Sequence, residues 1–260
     1  MPLPPSWIVP DWPAPTNVRA LCTTRAGGVS HAPYDSLNLG DHVGDDPQAV
    51  AANRITFAQA LEARPVFLRQ VHGQQTLELS PSTPDGAQAD GCIATASGVA
   101  CTIMVADCLP LLFTTDDGSV VAAAHAGWRG LAGQGGEGIV ESMTRRLCAS
   151  ESSVPSRPAD LMVWLGPCIG PQAFEVGGEV KAAFEANDPE AAVHFQPLAA
   201  GKWLADLQGL ARRRLHALGV TRLHGNDGSR AWCTVANPSR FFSHRRDGAS
   251  GRFAAAIWRI

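Results

Sequence analysis

Three short segments place metal-binding side chains at the ends of apolar runs. They are Gln-Val-His-Gly at 70–73, Ala-Asp-Cys-Leu-Pro at 106–110 and Ala-Ala-His-Ala-Gly at 123–127. Taken singly, a cysteine in an apolar run is typical of core packing, and a histidine at a strand end is typical of a hydrogen-bonded structural residue. Together, His72, Cys108 and His125 offer two nitrogens and one sulfur, which suits zinc with its fourth position open to water. The set predicts a catalytic metal site.

The surroundings of these residues favour chemistry over packing. Asp107, beside Cys108, is an ionisable residue inside a buried run, which is costly unless it is paired or used. His125 leads into Gly-Trp-Arg-Gly at 127–130, a predicted turn where the backbone can approach a ligand closely. The same residues also permit a cysteine nucleophile, with His125 lowering the pKa of Cys108. Both interpretations stay open on this evidence.

Three arginines lie near glycines: Arg25, Arg129 and Arg246. The planar fork of arginine suits phosphate or carboxylate, and nearby glycines allow backbone N–H groups to join. The sequence has neither a Walker A motif nor a Gly-x-Gly-x-x-Gly after a strand. For any one of these arginines, a solvated position in a surface turn is the competing interpretation.

The elements that must position these residues alternate irregularly between strands and helices. Strands are predicted at 18–24, 66–70, 76–80, 99–106, 111–115, 120–125, 161–165, 220–224 and 253–259. Helices are predicted at 47–62, where Asp46 and Pro47 form an N-cap and first turn, and at 137–147, 178–185 and 203–218. Residues 116–118 predict a hairpin turn, and residues 150–158 predict a linker. We expect one α+β domain over residues 1–260, with mixed β-sheets between outer helices.

Charge and composition exclude several classes of protein. Lys and Arg total 21 against 24 Asp and Glu, a net charge of −3, so we expect no nucleic-acid partner. Apolar residues make up 45% of the chain, too many for intrinsic disorder. No apolar run reaches the ~18 residues that a membrane span needs, so we expect no membrane association.

The seven cysteines do not form a disulfide framework. Their number is odd, and no Cys-x-x-Cys pair occurs. A secreted disulfide-rich protein is expected to have an even and much denser set. Free thiols in a reducing compartment fit better, and the start of the sequence lacks the pattern of a secretory signal. We expect a cytoplasmic protein.

These segments make the chain resemble the YfiH family, whose members are labelled multicopper polyphenol oxidases, laccase-domain proteins or purine nucleoside phosphorylases. Seven blocks keep the family's order: Thr-Thr-Arg-Ala-Gly-Gly-Val-Ser at 23–30, Tyr-Asp-Ser-Leu-Asn-Leu-Gly at 34–40, Gln-Val-His-Gly at 70–73, Ala-Asp-Cys-Leu-Pro at 106–110, Ala-Ala-His-Ala-Gly-Trp-Arg-Gly at 123–130, Gly-Pro-Cys-Ile-Gly-Pro at 166–171 and Phe-Phe-Ser-His-Arg-Arg-Asp-Gly at 241–248. The resemblance implies a layered α+β fold related to cysteine hydrolases. It also implies zinc on His72, Cys108 and His125, the same three residues that ligand chemistry selects.

The resemblance further implies the reaction, and the chemistry of the side chains then indicates which residues would serve it. The expected reaction is zinc-dependent phosphorolysis of purine nucleosides (adenosine, inosine, guanosine, methylthioadenosine), together with adenosine deamination. Asp107, Cys108 and His125 would be catalytic, with Asp107 an acid or a support for a ligand. Substrate and phosphate would contact Arg25, Asn38, Gln70, Arg129 and Arg246. The partners would be a purine nucleoside and phosphate.

Three alternatives remain at the level of sequence. One cysteine and two histidines also resemble a blue-copper ligand set, so copper oxidation of phenols is the first. A multicopper oxidase needs further paired histidines, and no His-x-His pair occurs here. The second alternative is an amidase that edits peptidoglycan precursors. The third is a metal-binding or redox-sensing module without enzymatic activity.

Overall fold

Two β-sheets pack face to face in the computed structural model of the chain, and helices cover the outer surface of each. The structure describes residues 4–149 and 157–260. Their strands are β1 (Val18–Cys22), β2 (Arg64–Phe67), β3 (Thr76–Leu79), β4 (Gly91–Ala94), β5 (Val99–Val105), β6 (Leu109–Thr115), β7 (Val121–Ala126), β8 (Leu161–Leu165), β9 (Glu175–Val176), β10 (Phe195–Pro197), β11 (Trp203–Ala205), β12 (Arg222–Gly225) and β13 (Phe253–Arg259). Their α-helices are α1 (Pro47–Leu61), α2 (Trp128–Ala132), α3 (Ile139–Cys148), α4 (Gly178–Glu185), α5 (Leu207–Ala217) and α6 (His244–Asp247).

Both large sheets are mixed. The larger has the order β12-β8-β6-β7-β4-β3, with its two outermost pairs parallel and the others antiparallel. The smaller has the order β1-β13-β5-β2, in which only β5 and β2 run parallel. A third, antiparallel sheet has the order β10-β11-β9.

The hydrophobic core has three parts: one between the two large sheets and one on the outer face of each. Residues from both sheets fill the space between them, among them Ile103, Leu112, Trp164 and Ile257. On the outer face of the larger sheet, α3 and α5 pack through Met143 and Leu215. On the outer face of the smaller sheet, α1 packs through Phe57. This confirms the predicted α+β architecture of mixed sheets between outer helices.

The β6–β7 hairpin brings two of the candidate ligands together. Its turn lies at the predicted position, where Gly118 has a φ of +66° and Asp117 Oδ1 accepts a hydrogen bond from the Ser119 N–H. In the ladder Leu109 pairs with Ala126, so Cys108 is next to the end of β7 that carries His125.

Helix α1 begins as its sequence predicts. The Asp46 side chain accepts a hydrogen bond of 2.9 Å from the Gln48 N–H, and Pro47 occupies the first turn. The carboxylate satisfies one free N–H group of the helix start, and proline has no N–H group that would need a partner. The helix ends at Leu61, before Glu62 in a left-handed conformation.

The predicted helix at 203–218 is wrong in its first turn. Trp203–Ala205 forms β11, which pairs with β9 and β10. Helix α5 begins only at Leu207, because the Asp206 side chain accepts from the Gly209 N–H and caps it.

The predicted strand at 66–70 also differs, since β2 ends at Phe67. Beyond it, the Gln70 side chain takes over the pairing with β5: its Nε2 donates to Met104 O (2.8 Å), and its Oε1 accepts from Met104 N (2.9 Å). Other elements also differ from the prediction, since strands β9 and β10 and the short helix α6 have no predicted counterpart. Strand β4 was not predicted, and the predicted turn at 127–130 starts helix α2.

Most of the predicted linker, residues 150–156, lies outside the described residues. In the part of the chain that the structure describes, no helix is both long and apolar enough to cross a membrane.

Candidate metal centre

The three predicted ligands lie together at one end of the two sheets. His72 is in the loop after β2, Cys108 immediately precedes β6, and His125 lies in β7. One donor atom from each lies within 4.8 Å of the others. Cys108 Sγ is 3.7 Å from His72 Nε2, and the two imidazole rings meet edge to face with 4.7 Å between their centroids.

A buried carboxylate, Asp90, holds both histidines. Its Oδ1 is 2.8 Å from His125 Nδ1. It also accepts hydrogen bonds from three consecutive backbone N–H groups, of Val71 (3.1 Å), His72 (2.8 Å) and Gly73 (2.7 Å). With Nδ1 of His125 bonded to Asp90, Nε2 is the nitrogen free to bind a metal. The same contacts hold the backbone of His72 at its φ of +60°, a region that non-glycine residues rarely adopt.

The sequence does not single out Asp90. An aspartate before a glycine is typical of a turn, and the four-residue strand that follows carries little periodicity. Only the pairing of β4 with β7, in which Gly91 faces Ala124, brings this carboxylate to His125. Asp90 is therefore a site residue that long-range pairing creates.

The ionisable groups of the cluster perturb one another. Burial by itself raises the pKa of the Cys108 thiol, but the charges and hydrogen bonds of His125 and His72 lower it to about 6. Burial likewise lowers the pKa of His125, but the Cys108 thiolate and Asp90 raise it to about 9. In the metal-free protein at neutral pH, a thiolate thus faces an imidazolium.

Glycine at 127 leaves the space in which the ligands meet. A Cβ at Gly127 would lie 2.7 Å from His72 Cδ2 and 3.1 Å from Cys108 Sγ. A Cβ at Gly130 would lie 2.6 Å from the Gly73 carbonyl oxygen. Helix α2 can therefore approach the His72 loop only because both positions lack side chains.

These features fit a metal ion. His72 Nε2, Cys108 Sγ and His125 Nε2 are soft or borderline donors, and the thiol ionises readily at this position. His125 is 3% exposed whereas His72 is exposed, so the cluster is closed on one side and open on the other. Three protein ligands with an open side are typical of catalytic sites.

A cavity of about 430 Å³ opens at the cluster, and its lining is positively charged. Besides the three candidate ligands, it is lined by one carboxylate, Asp107, and by three arginines, Arg129, Arg245 and Arg252. Its volume lies within the range of small-molecule sites. A second cavity of about 440 Å³ adjoins it and shares His72 and Arg129.

Asp107 lies on the cavity wall in a strained conformation, with a φ of +96°. Its Oδ1 accepts a hydrogen bond of 2.5 Å from Thr234 Oγ1, and its Oδ2 accepts one of 2.7 Å from the Arg245 N–H. The carboxylate thereby connects the Cys108 loop to helix α6.

Two of the predicted substrate-binding residues line the cavity. Gln70 lies there with its amide bonded to Met104. The Arg129 guanidinium stacks on Trp128 at 4.4 Å and has no carboxylate within 4.0 Å among the residues that the structure describes.

The other three lie away from the described lining. Arg25 donates to Asp35 and to the Pro238 carbonyl. Asn38 is buried and bonds to the Gly40 backbone. Arg246 uses its N–H groups on Asp247 and on the carbonyls of Thr234, Val235 and Phe241. Their contact with substrate stays a prediction.

Comparison with known proteins identifies a family. The family model described as multi-copper polyphenol oxidoreductase laccase matches residues 19–260. A protein of Pseudomonas aeruginosa named purine nucleoside phosphorylase is 52% identical over 254 residues, covering 97% of this chain and 98% of its own length. The Escherichia coli protein named purine nucleoside phosphorylase YfiH is 46% identical over 255 residues, with 97% and 98% covered.

Solved structures agree over the same extent. A crystal structure of a Neisseria meningitidis protein is 43% identical with a TM-score of 0.88, covering 98% of this chain and 99% of the other. YlmD from Geobacillus stearothermophilus is 31% identical with a TM-score of 0.88, covering 100% and 98%.

Proposed function

Since this chain belongs to the multi-copper polyphenol oxidoreductase laccase family, and its near-full-length relatives are named purine nucleoside phosphorylases, we propose that it cleaves purine nucleosides with phosphate. The substrates would be adenosine, inosine, guanosine and methylthioadenosine. The metal centre would be formed by His72, Cys108 and His125.

The observation that carries this proposal is the positively charged cavity beside the candidate metal centre. A nucleoside is neutral and needs no such charge, whereas phosphate is an anion. Three arginines against one carboxylate favour an anionic co-substrate. A redox or structural metal site would not need this excess of positive charge.

In this reaction, two residues of the cavity would have distinct roles. A phosphate oxygen would form a bond to the ribose C1′ as the bond from C1′ to the purine nitrogen breaks, which gives ribose 1-phosphate. The departing purine nitrogen would take up the proton of the hydrogen phosphate, directly or through water. Arg129, whose guanidinium has no carboxylate partner among the described residues, would orient the phosphate. Asp107 would act as a positioning residue, because both of its oxygens already hold the cavity wall.

We propose zinc as the metal, because two imidazoles and a thiolate with an open side are a zinc ligand set. When bound, zinc would supply Lewis acidity and lower the pKa of water, the chemistry needed to convert adenosine and water to inosine and ammonia. His125 would keep its position through Asp90 in either reaction.

Copper oxidation of phenols is the competing function, because the family description names it. The same three ligands resemble a blue-copper set. Within residues 4–149 and 157–260, however, they are the one group of three or more metal-binding side chains. A multicopper enzyme would need further clusters.

We further propose that residues 1–260 act as one catalytic domain in the cytoplasm. The seven cysteines are all free, as expected in a reducing compartment.

The test combines metal analysis with assays of each nucleoside, with and without phosphate. We expect about one zinc per chain, phosphate-dependent release of free purine, and loss of both zinc and turnover in Cys108→Ala. That substitution removes only a small side chain, at a cost of about 1–2 kcal/mol, so the fold should survive.

Cys148→Ala in helix α3 is the matched control, since Cys148 is another partly buried free cysteine. It should keep zinc and activity. A folded Cys108→Ala protein with full activity would contradict the proposal, as would phenol oxidation with several coppers per chain and no phosphorolysis.

A further inference from the structure

Arg252 reaches the candidate active site from the segment just before β13. It lines the same cavity as Cys108 and Asp107, and its side chain is half-buried. Burial lowers the pKa of its guanidinium, while the negative charges of Cys108 and Asp107 raise it. A cation is thus held in a partly desolvated wall of the site, where placing a charge is costly unless something compensates it.

The guanidinium has donors left over. Nη1 donates to the carbonyls of Ser250 (2.7 Å) and Gly251 (3.1 Å). Neither Nε nor Nη2 meets a protein acceptor, and no carboxylate lies within 4.0 Å, among the residues that the structure describes. These two nitrogens form the edge of the fork that binds two oxygens of one phosphate.

The backbone of Arg252 is fixed by the loop at 38–40. Asn38 Oδ1 accepts a hydrogen bond of 2.8 Å from the Arg252 N–H, and the Leu39 N–H donates to the Arg252 carbonyl over 3.0 Å. A Cβ at Gly40 would lie 2.8 Å from Arg252 Cγ, so the aliphatic part of the side chain rests directly on that glycine. An arginine anchored in this way is preorganised to bind a ligand rather than to sample solvent.

We propose that Arg252 binds the phosphate co-substrate through Nε and Nη2, and that Asn38 positions it. This inference rests on the proposed phosphorolysis. It differs from the sequence expectation for Arg246, whose N–H groups are used within the protein. It also makes Asn38 a positioning residue, which holds the Arg252 backbone and does not itself contact the nucleoside.

The variants Arg252→Met and Arg252→Lys test the proposal. Methionine keeps the length of the side chain and removes the charge and the fork, whereas lysine keeps the charge alone. Arg212→Met is the matched control. Arg212 is half-buried, its guanidinium bonds only to the Asn226 carbonyl among the described residues, and burial lowers its pKa in the same way.

Two measurements are needed. In steady-state phosphorolysis, Arg252→Met should raise the KM for phosphate by about 10- to 100-fold and change the KM for nucleoside by less than about twofold. The KM for phosphate of Arg252→Lys should lie between those of the wild type and Arg252→Met. Arg212→Met should have the wild-type KM for phosphate. Calorimetric titration with inorganic phosphate alone, with and without zinc, should show the same order of affinities.

The outcomes separate this proposal from the function on which it rests. Wild-type phosphorolysis with an unchanged phosphate KM in Arg252→Met overturns the role of Arg252 and leaves the function standing. In the other case, the wild type binds phosphate but cleaves no nucleoside, and Arg252→Met loses the phosphate binding. That result supports the phosphate subsite and overturns the proposed function. If Arg252→Met does not fold, Arg252→Lys decides, because an unchanged phosphate KM there excludes the fork.

Discussion

The two histidines of the candidate metal centre differ in how they are held. His125 is buried and bonded to Asp90 through its side chain, whereas His72 is exposed and bonded to Asp90 through its backbone. The Asp90 carboxylate therefore fixes the orientation of the His125 ring and the conformation of the loop that carries His72. Its own pKa reflects this: burial raises it, but the hydrogen bonds from His125 and from the loop lower it on balance.

Asp90→Asn should weaken zinc binding by about 10- to 100-fold. An amide has one acceptor atom where the carboxylate has two, so its NH₂ group would face backbone N–H donors at Val71 and Gly73. Chelator competition measures the affinity. Asp117→Asn is the control, because Asp117 accepts from Ser119 in the hairpin turn at the other end of β6; equal losses in both variants would show that Asp90 has no special role.

Zinc affinity should depend on pH well above the ordinary histidine range. Between the pKa of Cys108, about 6, and that of His125, about 9, the metal-free site holds a thiolate and an imidazolium. Zinc must displace the His125 proton, so affinity should rise about tenfold per pH unit up to pH ~9 and then level off. Titrations in buffers of different ionisation enthalpy should show release of about one proton at pH 7.5. An affinity that is flat above pH 7 would contradict the coupling.

That His72, Cys108 and His125 form one cluster could be predicted from the sequence, because each follows or ends an apolar run. The residues that hold them could not. Asp90 becomes visible only when β4 pairs with β7, and Arg252 only when the 38–40 loop packs against the C-terminal segment. Spacing along the chain carries no signal for such long-range partners.

At the scale of elements, glycines decide how closely the loops approach. Gly127, the residue just before helix α2, lies directly against the His72 ring and Cys108 Sγ. The sequence predicts a turn at Gly-Trp-Arg-Gly that lets the backbone approach a ligand. In the structure the segment is helical from Trp128, and its glycines lie close to the His72 loop and to Cys108.

Gly127→Ala should lower zinc affinity by about tenfold or more, because the added methyl must displace His72 or Cys108. Gly178→Ala is the control, since a Cβ there meets nothing within 4 Å and Gly178 also lies at the start of a helix. Zinc titration and thermal unfolding of both proteins check the expectation. Wild-type affinity in a folded Gly127→Ala protein would show that the loop can move without loss.

Most elements were predictable from local patterns, and the exceptions have physical reasons. Apolar runs gave the bounds of β8 and β13 without error, and the Asp-Pro pair gave the start of α1. The error at 203–205 arose because three apolar and small residues before a capping Asp206 look like a first helical turn. Their strand state depends on pairing with β9, a segment too short to predict.

At the scale of the whole molecule, the centre lies where the two large sheets meet. His72 follows a strand of the smaller sheet, His125 belongs to the larger, and Cys108 lies where the chain passes from β5 to β6. A metal bound to all three would connect both sheets, so its binding should stabilise the entire fold.

Saturating zinc, at about 1,000 times its Kd, should add about 4 kcal/mol to the free energy of unfolding. For a chain of this size, that corresponds to a rise in Tm of about 8 to 16 °C. Thermal unfolding with zinc and with chelator measures it, and Cys108→Ala should lose most of the shift. A shift of equal size in that variant would place the stabilising metal elsewhere.

The position of β13 has a consequence for how the protein is made. This strand lies between β1 and β5 at the middle of the smaller sheet, yet it follows every other strand in the chain. During synthesis, β1 must wait for it, and Arg252 reaches its place only as β13 emerges. The metal-binding side chains leave the ribosome more than a hundred residues earlier. A nascent chain can therefore bring its three candidate ligands together before Arg252 completes the cavity beside them.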